Sequence, residues 1–301
     1  MVDAPGLKPG EDLKIFMWVR FPPSAQNMQK KRHLRIGIFD SGFGGLDILR
    51  SIVHTLPQYD YVYLGDTARA PYGHRSQETI YAYTKQAVQF LFQHECGMVV
   101  IACNTASSEA LRKIQKEYVK EFGAKKKILG VLIPAAEEAV GKTKNRRVGI
   151  IATEATVASN AFVRELTKLD SDIKVFQKAC PLLVPLVEAG RQNSKETQTI
   201  LEKYLHPLAH KRIDVLILGC THYGILERGI RKIIGPDIAL ISEARVVPKK
   251  LKRYLERHID LEKTLSKQSS VRFYSTDSTD NFKLLGSKLF GRAVRVEKAV
   301  L

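Results

Sequence analysis

Residues 98–105 read Met98-Val-Val-Ile-Ala-Cys103-Asn104-Thr105, and residues 214–222 read Asp214-Val-Leu-Ile-Leu-Gly-Cys220-Thr221-His222. Each is a short apolar run of the kind that forms a strand buried on both faces. Each ends in a cysteine followed at once by hydroxyl, amide or imidazole side chains, and Cys220 lies 117 residues after Cys103. A second motif repeats in step with the first. Arg147-Val-Gly-Ile-Ile151 parallels Arg35-Ile-Gly-Ile-Phe39 at an offset of 112, which puts Ala152-Thr153 where Asp40-Ser41 stands. From Asp40 to Cys103 is 63 residues and from Ala152 to Cys220 is 68. Two motifs recurring in the same order at similar separation predict two topologically alike domains.

Between these runs strands and helices alternate. Asp60–Leu64 reads as a further strand, and Leu46–Leu56, Glu78–Phe92 and Ser107–Phe122 read as helices, the last opened by Ser107 and Ser108 as candidate N-caps. Continuous apolar strands alternating with amphipathic helices predict an α/β fold. We expect two similar Rossmann-like or flavodoxin-like domains, with mostly parallel sheets covered on both faces and related by a pseudo-two-fold axis. The expected boundaries are residues 34–131 plus 244–301 for a discontinuous first domain and 132–243 for the second. Residues 1–33, punctuated by Pro and Gly, read as a poorly ordered extension or the product of a mis-set start codon, with Met28 the alternative start. Ligands of open parallel sheets bind beyond the carboxyl ends of the strands, so the active site is expected in the interdomain cleft.

A hydrophobic fraction of 44% with 26% charged residues is that of a soluble globular chain. No apolar run reaches the ~20 residues needed to span a bilayer, and the first residues lack the pattern of a secretory signal. A cytoplasmic protein with free thiols is expected, because Cys96, Cys103, Cys180 and Cys220 show no CxxC spacing. The net charge of +17 is unusual. Its clusters, at Lys30-Lys31-Arg32, Lys125-Lys126-Lys127, Lys144 to Arg147 and Lys249 to Arg253, are scattered as solvated helix ends and loops would be. The rival reading is a surface for nucleic acid or an acidic partner, although no aromatic interleaving or zinc-finger spacing accompanies it.

Asp40-Ser41-Gly42-Phe43-Gly44-Gly45 joins a strand to a helix, and amides at a helix N-terminus favour an anion. A carboxylate-binding loop fits best. A purely structural turn and a nucleotide site are the alternatives, the latter with Asp66 as ribose ligand but GxGG in place of GxGxxG. Cys96 and Cys180 read as small buried hydrophobes. Cys103 and Cys220 differ in heading polar triplets at strand ends, with Asp40 and His222 the candidate groups to activate them. His206 and His210 are four apart, but the intervening Pro207 and the lack of HExxH argue against a metal site.

These stretches, with Asp66-Thr67, Pro71-Tyr72-Gly73, Cys103-Asn104-Thr105-Ala106-Ser107, Ala152-Thr153, Thr156, Pro185-Leu186-Val187-Glu188 and Cys220-Thr221-His222-Tyr223, closely resemble the glutamate racemases within the aspartate/glutamate racemase family. The match spans residues 35–223, and the tail Phe273–Gly291 looks like the family's last helix. The resemblance implies racemisation of glutamate without cofactor or metal, by two bases on opposite faces of the α-carbon, supplying D-glutamate for peptidoglycan. Cys103 would abstract from D-glutamate with Asp40 assisting, and Cys220 from L-glutamate with His222 and Glu188 assisting. Asp40, Ser41, Tyr72, Gly73, Asn104, Thr105, Thr153, Thr221 and His222 would hold the substrate, and a homodimer is expected. The alternatives are an aspartate racemase of the same mechanism, or a racemase-like scaffold that binds nucleic acid or protein through its basic surface. The chain departs from the pattern at Gly224, where proline usually follows His-Tyr, at Ile241-Ser242-Glu243, which lacks an Asp-Ser pair, and in residues 1–33.

Overall fold

Ten strands form among the described residues: β1 (Arg35–Asp40), β2 (Tyr61–Gly65), β3 (Cys96–Ile101), β4 (Lys127–Gly130), β5 (Arg147–Ala152), β6 (Lys174–Ala179), β7 (Val215–Gly219), β8 (Ala239–Ile241), β9 (Val271–Ser275) and β10 (Val296–Lys298). The computed structural model describes residues 34–122, 126–277 and 279–301, so the expectations for residues 1–33 and for Lys125 lie outside the described residues. β2, β3 and β7 are buried along their whole length, as strands covered by helices on both faces must be.

The strands form two sheets, ordered β10-β9-β2-β1-β3-β4 and β6-β5-β7-β8, with every pairing parallel. The α/β class read from the sequence is the class observed. The runs β2-β1-β3-β4 and β6-β5-β7-β8 have one topology, so β1 corresponds to β5 and β3 to β7. Strand order reverses direction between β1 and β3 and again between β5 and β7, the crevice where flavodoxin-like sheets bind ligands. Each repeated cysteine follows a strand at such a crevice.

The first sheet is extended at its β2 edge by the C-terminal segment, and here the reading of Phe273–Gly291 as one helix is corrected. Phe273–Ser275 ends β9, the helix covers Thr279–Phe290, and β10 follows. Val271-Arg-Phe-Tyr-Ser joins the sheet because Phe273 registers with Tyr63 of β2, ring centroids 6.4 Å apart. Helix Glu243–Arg257 starts where β8 ends and ties the two halves together. Its Val246 packs in the core beneath the second sheet, whereas Val247, Leu251 and Leu255 join Leu46, Leu49 and Ile52 in a core of the first. Residues His33–Leu301 accordingly form one compact unit. No helix among the described residues is long and apolar enough to cross a membrane.

Candidate active site

Helix Asn104–Glu109 begins three residues after β3 ends, and Cys103 is its N-cap, the thiol accepting the Ala106 N–H at 3.5 Å. The expected helix Ser107–Phe122 therefore starts three residues earlier and breaks at Ala110, before Leu111–Phe122. Ser107 and Ser108 do not cap it. The Ser107 hydroxyl reaches back to the Ile101 carbonyl at the end of β3, and the Ser108 hydroxyl donates to the Thr105 carbonyl one turn earlier, the local back-bonding that serine offers inside a helix. The Ser41 hydroxyl lies 3.2 Å from Cys103 Sγ. Asp40, fully buried at the end of β1, accepts the Gly42 N–H at 3.0 Å. Burial raises its carboxyl above the ordinary range, opposed by the charge of His222, the amides of Gly42 and Gly45 and the Thr221 hydroxyl. Burial and then the Asp40 charge push the Cys103 thiol up to about 11, against the opposing hydrogen bonds of Ser41 and Ala106.

Cys220 follows β7, and its Sγ lies 3.8 Å from His222 Nδ1. The opposite ring nitrogen, Nε2, is 3.1 Å from Glu188 Oε1. Glu188 holds the far side of the ring, so that in the neutral imidazole with Nε2–H donating to the carboxylate, Nδ1 is the acceptor on the side of the thiol. Burial pushes Cys220 well above the ordinary thiol range; the His222 backbone amide opposes the shift, while charge on Cys103, Asp40 and Glu243 adds to it. The two thiols thus sit within electrostatic reach of each other, as do Asp40 and His222.

The halves meet through backbone as well as side chains. A Cβ on Gly44 would stand 2.3 Å from Thr221 Oγ1 and 2.9 Å from the His222 nitrogen, so only glycine lets this loop approach the second cysteine motif. A Cβ on Gly73 would come within 2.9 Å of Thr153. Thr105, Thr153 and Thr156 join hydroxyls, Thr105 to Thr153 at 2.9 Å. Every residue expected at the site except Ser41 and Glu188 is buried here, with Cys103 5% and Cys220 7% exposed. Tyr72 is buried and its hydroxyl donates to Asp66.

Burial does not single out the reactive pair, since all four cysteines are buried and free. Polar surroundings do. Among the described residues Cys180 Sγ hydrogen-bonds to the Lys178 carbonyl and Cys96 Sγ to that of His94, neither to a polar side chain, and burial raises both to about 12. Asp66 is not available to a ribose: it is fully buried and accepts Arg69 Nε at 2.7 Å, the Thr276 hydroxyl at 2.8 Å and the Tyr72 hydroxyl. Its role is to brace the Pro71-Tyr72-Gly73 loop against the segment after β9. The sequence reading missed Tyr63, whose hydroxyl donates to the Gly42 carbonyl at 3.0 Å beneath the glycine loop. It also missed Glu243, buried near both Asp40 and Cys220. A tyrosine in a strand looks like core, and a glutamate opening a helix looks like an ordinary first-turn acid; neither carries a local signal. Of the basic clusters, Lys250 pairs with Glu137, Arg146 with Asp170, and Lys126 lies over Phe92, on separate parts of the surface.

Residues 36–247 match the Asp/Glu/Hydantoin racemase family. The chain is similar to a glutamate racemase of Persephonella marina, 38% identical over 268 residues that cover 89% of this chain and 98% of that protein. Among solved structures, a glutamate racemase isoform from Bacillus anthracis superposes with a TM-score of 0.82 at 33% identity, covering 90% of this chain and 98% of that one. A glutamate racemase from Francisella tularensis in complex with D-glutamate gives 0.79 at 33% identity, with the same coverages.

Proposed function

The chain belongs to the Asp/Glu/Hydantoin racemase family, and from that premise we propose that it interconverts L- and D-glutamate by passing the α-proton between Cys103 and Cys220. The observation that carries the reading is the pair itself. Two thiols end corresponding strands of two like sheets, buried within electrostatic reach of each other, each beside its own polar partner. The reading extends to a cytoplasmic enzyme whose D-glutamate serves peptidoglycan synthesis, in keeping with the glutamate racemases it resembles.

In the L-to-D direction His222 Nδ1 takes the proton of Cys220, and the thiolate removes the α-proton from one face of the substrate. Cys103 then delivers its own proton to the opposite face, and after product release proton exchange with solvent returns the Cys103 thiolate and the protonated His222 to their starting forms. In the reverse direction Cys103 is the base, with Asp40 as its acceptor, and Cys220 the acid. Each transfer has its donor and acceptor among these side chains, so the mechanism calls for no cofactor. The α-proton is only weakly acidic, and the negative charge that builds on its removal must be met by fixed donors. Ser41, Asn104, Thr105, Thr153 and Thr221 and the amides of the glycine loop supply them, in a site from which closure of the halves excludes water.

The test is racemisation of each glutamate enantiomer in D2O. Wild-type protein should incorporate deuterium at the α-carbon and reach a racemic mixture without added cofactor. Cys103→Ser and Cys220→Ser should each lower turnover by at least about 10²-fold, the scale of a lost general acid–base group. An unchanged optical rotation with glutamate but loss of rotation with L-aspartate would reassign the substrate and leave the mechanism standing.

A further inference from the structure

Glu243 opens helix Glu243–Arg257 directly after β8, with Ser242 as a cap that makes no side-chain hydrogen bond. An acid in a helix's first turn is normally a surface residue facing the positive end of the helix dipole. Glu243 is instead 3% exposed, its Oε1 has no hydrogen-bond partner, and it forms no ion pair among the described residues. A buried, unpaired carboxyl costs free energy unless something uses it. Its neighbours are those of the site: the Asn104 amide beside Cys103, and the charges of Asp40 and Cys220.

Asn104 is equally unspent. The amide sits against the Glu243 carboxyl but stops short of normal hydrogen-bond geometry, and both its Nδ2 and Oδ1 are buried without another partner. Two buried polar groups with open capacity, side by side in a cleft, mark a place where a ligand completes the set. The sequence changes behind this spot belong together. A Cβ on Gly224 would stand 3.6 Å from Ser242 Oγ and 3.3 Å from Asp47 Oδ2, so the two departures from the family pattern, Gly224 and Ser242-Glu243, adjoin.

We propose that Glu243 is a positioning residue of this active site, its carboxyl group setting which way the Asn104 amide faces the substrate. The inference rests on the glutamate racemase reading above. A neutral carboxylic acid donates to Asn104 Oδ1 and turns both Nδ2 hydrogens toward the cleft, where a substrate carboxylate accepts them. An ionised one accepts from Nδ2 and turns the carbonyl oxygen outward, which repels a carboxylate. Burial holds Glu243 well above the ordinary carboxyl range and the charge on Asp40 adds to the shift, both favouring the neutral form, while the contact with Asn104 opposes them.

A double-mutant cycle on KM and kcat for D- and L-glutamate tests this, with folding checked by circular dichroism. Glu243→Ala should raise KM roughly tenfold or more, the effect of losing one hydrogen bond to a charged group. Asn104→Ala should do the same, and the double variant should be no worse than Asn104→Ala alone. Glu243→Gln, which keeps a donor without a charge, should retain KM within about threefold of wild type. Multiplying effects in the double variant, or an unchanged KM in folded Glu243→Ala, would overturn the pairing. If wild-type protein racemises neither enantiomer, the substrate reading fails instead, and the same cycle read on thermal unfolding still decides whether Glu243 and Asn104 act as a pair. Should Glu243→Ala not fold, Glu243→Gln carries the test, and a KM as high as that of Asn104→Ala would count against the inference.

Discussion

For each of the two thiols, burial is the largest influence on proton affinity, and the neighbours decide how that is relieved. Cys220 has an imidazole whose far nitrogen is held by Glu188, so that a neutral ring presents Nδ1 as an acceptor to the thiol. Cys103 has a hydroxyl and a capped helix start, with Asp40 behind them. The two halves of the reaction are therefore catalysed by different chemistry. Enantiomers have equal free energies, so the equilibrium constant is one, and any substitution must change kcat/KM equally in both directions. Asymmetry can show only in kcat and KM separately and in isotope effects. We expect His222→Asn to lower kcat/KM by about 10²-fold and Glu188→Gln by less, because Glu188 only orients the ring. In His222→Asn the α-deuterium isotope effect should grow for L-glutamate, where Cys220 removes the proton. Equal growth for both enantiomers would show that His222 does not serve Cys220 alone. Cys103, Cys220, Asp40 and His222 were all legible as residue types in a repeated pattern. Glu243 was not, because its burial depends on a helix arriving from the other sheet.

Among the connecting elements, two glycine-bearing turns let the halves touch. Gly44 and Gly73 each stand where a methyl group would meet the opposing half, Gly44 most tightly because backbone as well as side chain lies in the way. Gly44→Ala should cost roughly 1–3 kcal/mol of stability as overpacking, and it should lower kcat more than that loss of folded protein explains, since it wedges the glycine loop away from Thr221. Thermal unfolding and kcat measured on the same preparation separate the two effects; a kcat unchanged at a lowered Tm would show that the approach is purely structural. The sequence displayed the glycines but not their purpose. A GxGG turn after a strand reads equally as anion loop or tight corner, and only the opposing backbone decides. The serines after Cys103 misled for a related reason. Serine is a common cap, but the thiol was one helical turn closer to the strand end and took the position first.

The whole molecule is two like sheets closed over a buried, polar seam, and that closure shapes its response to pH. Cys96 lies in the core outside the site, and burial, opposed by nearby Arg35 and Lys126, pushes its thiol up from 9 to about 12. Below pH 9 the thiol is protonated both folded and unfolded, and its contribution to stability is fully present. As pH rises through 9 the unfolded chain ionises while the folded one does not, so stability falls until about pH 12 is reached. Urea unfolding across pH 9–11 should show a slope about one proton shallower in Cys96→Ala than in wild type, about 1.4 kcal/mol per pH unit. Identical slopes would show that the Cys96 thiol ionises in the folded protein. The sequence by itself determined the alternation of strand and helix, the duplication, and which residues head the strands, because apolar periodicity and strand-end chemistry are local properties of the chain. Only the tertiary structure decided that β9 and β10 extend the first sheet, that Asp66 serves a loop, and that Glu243 stands beside Asn104 and two thiols. These depend on which distant segments share a face, and no local spacing encodes that.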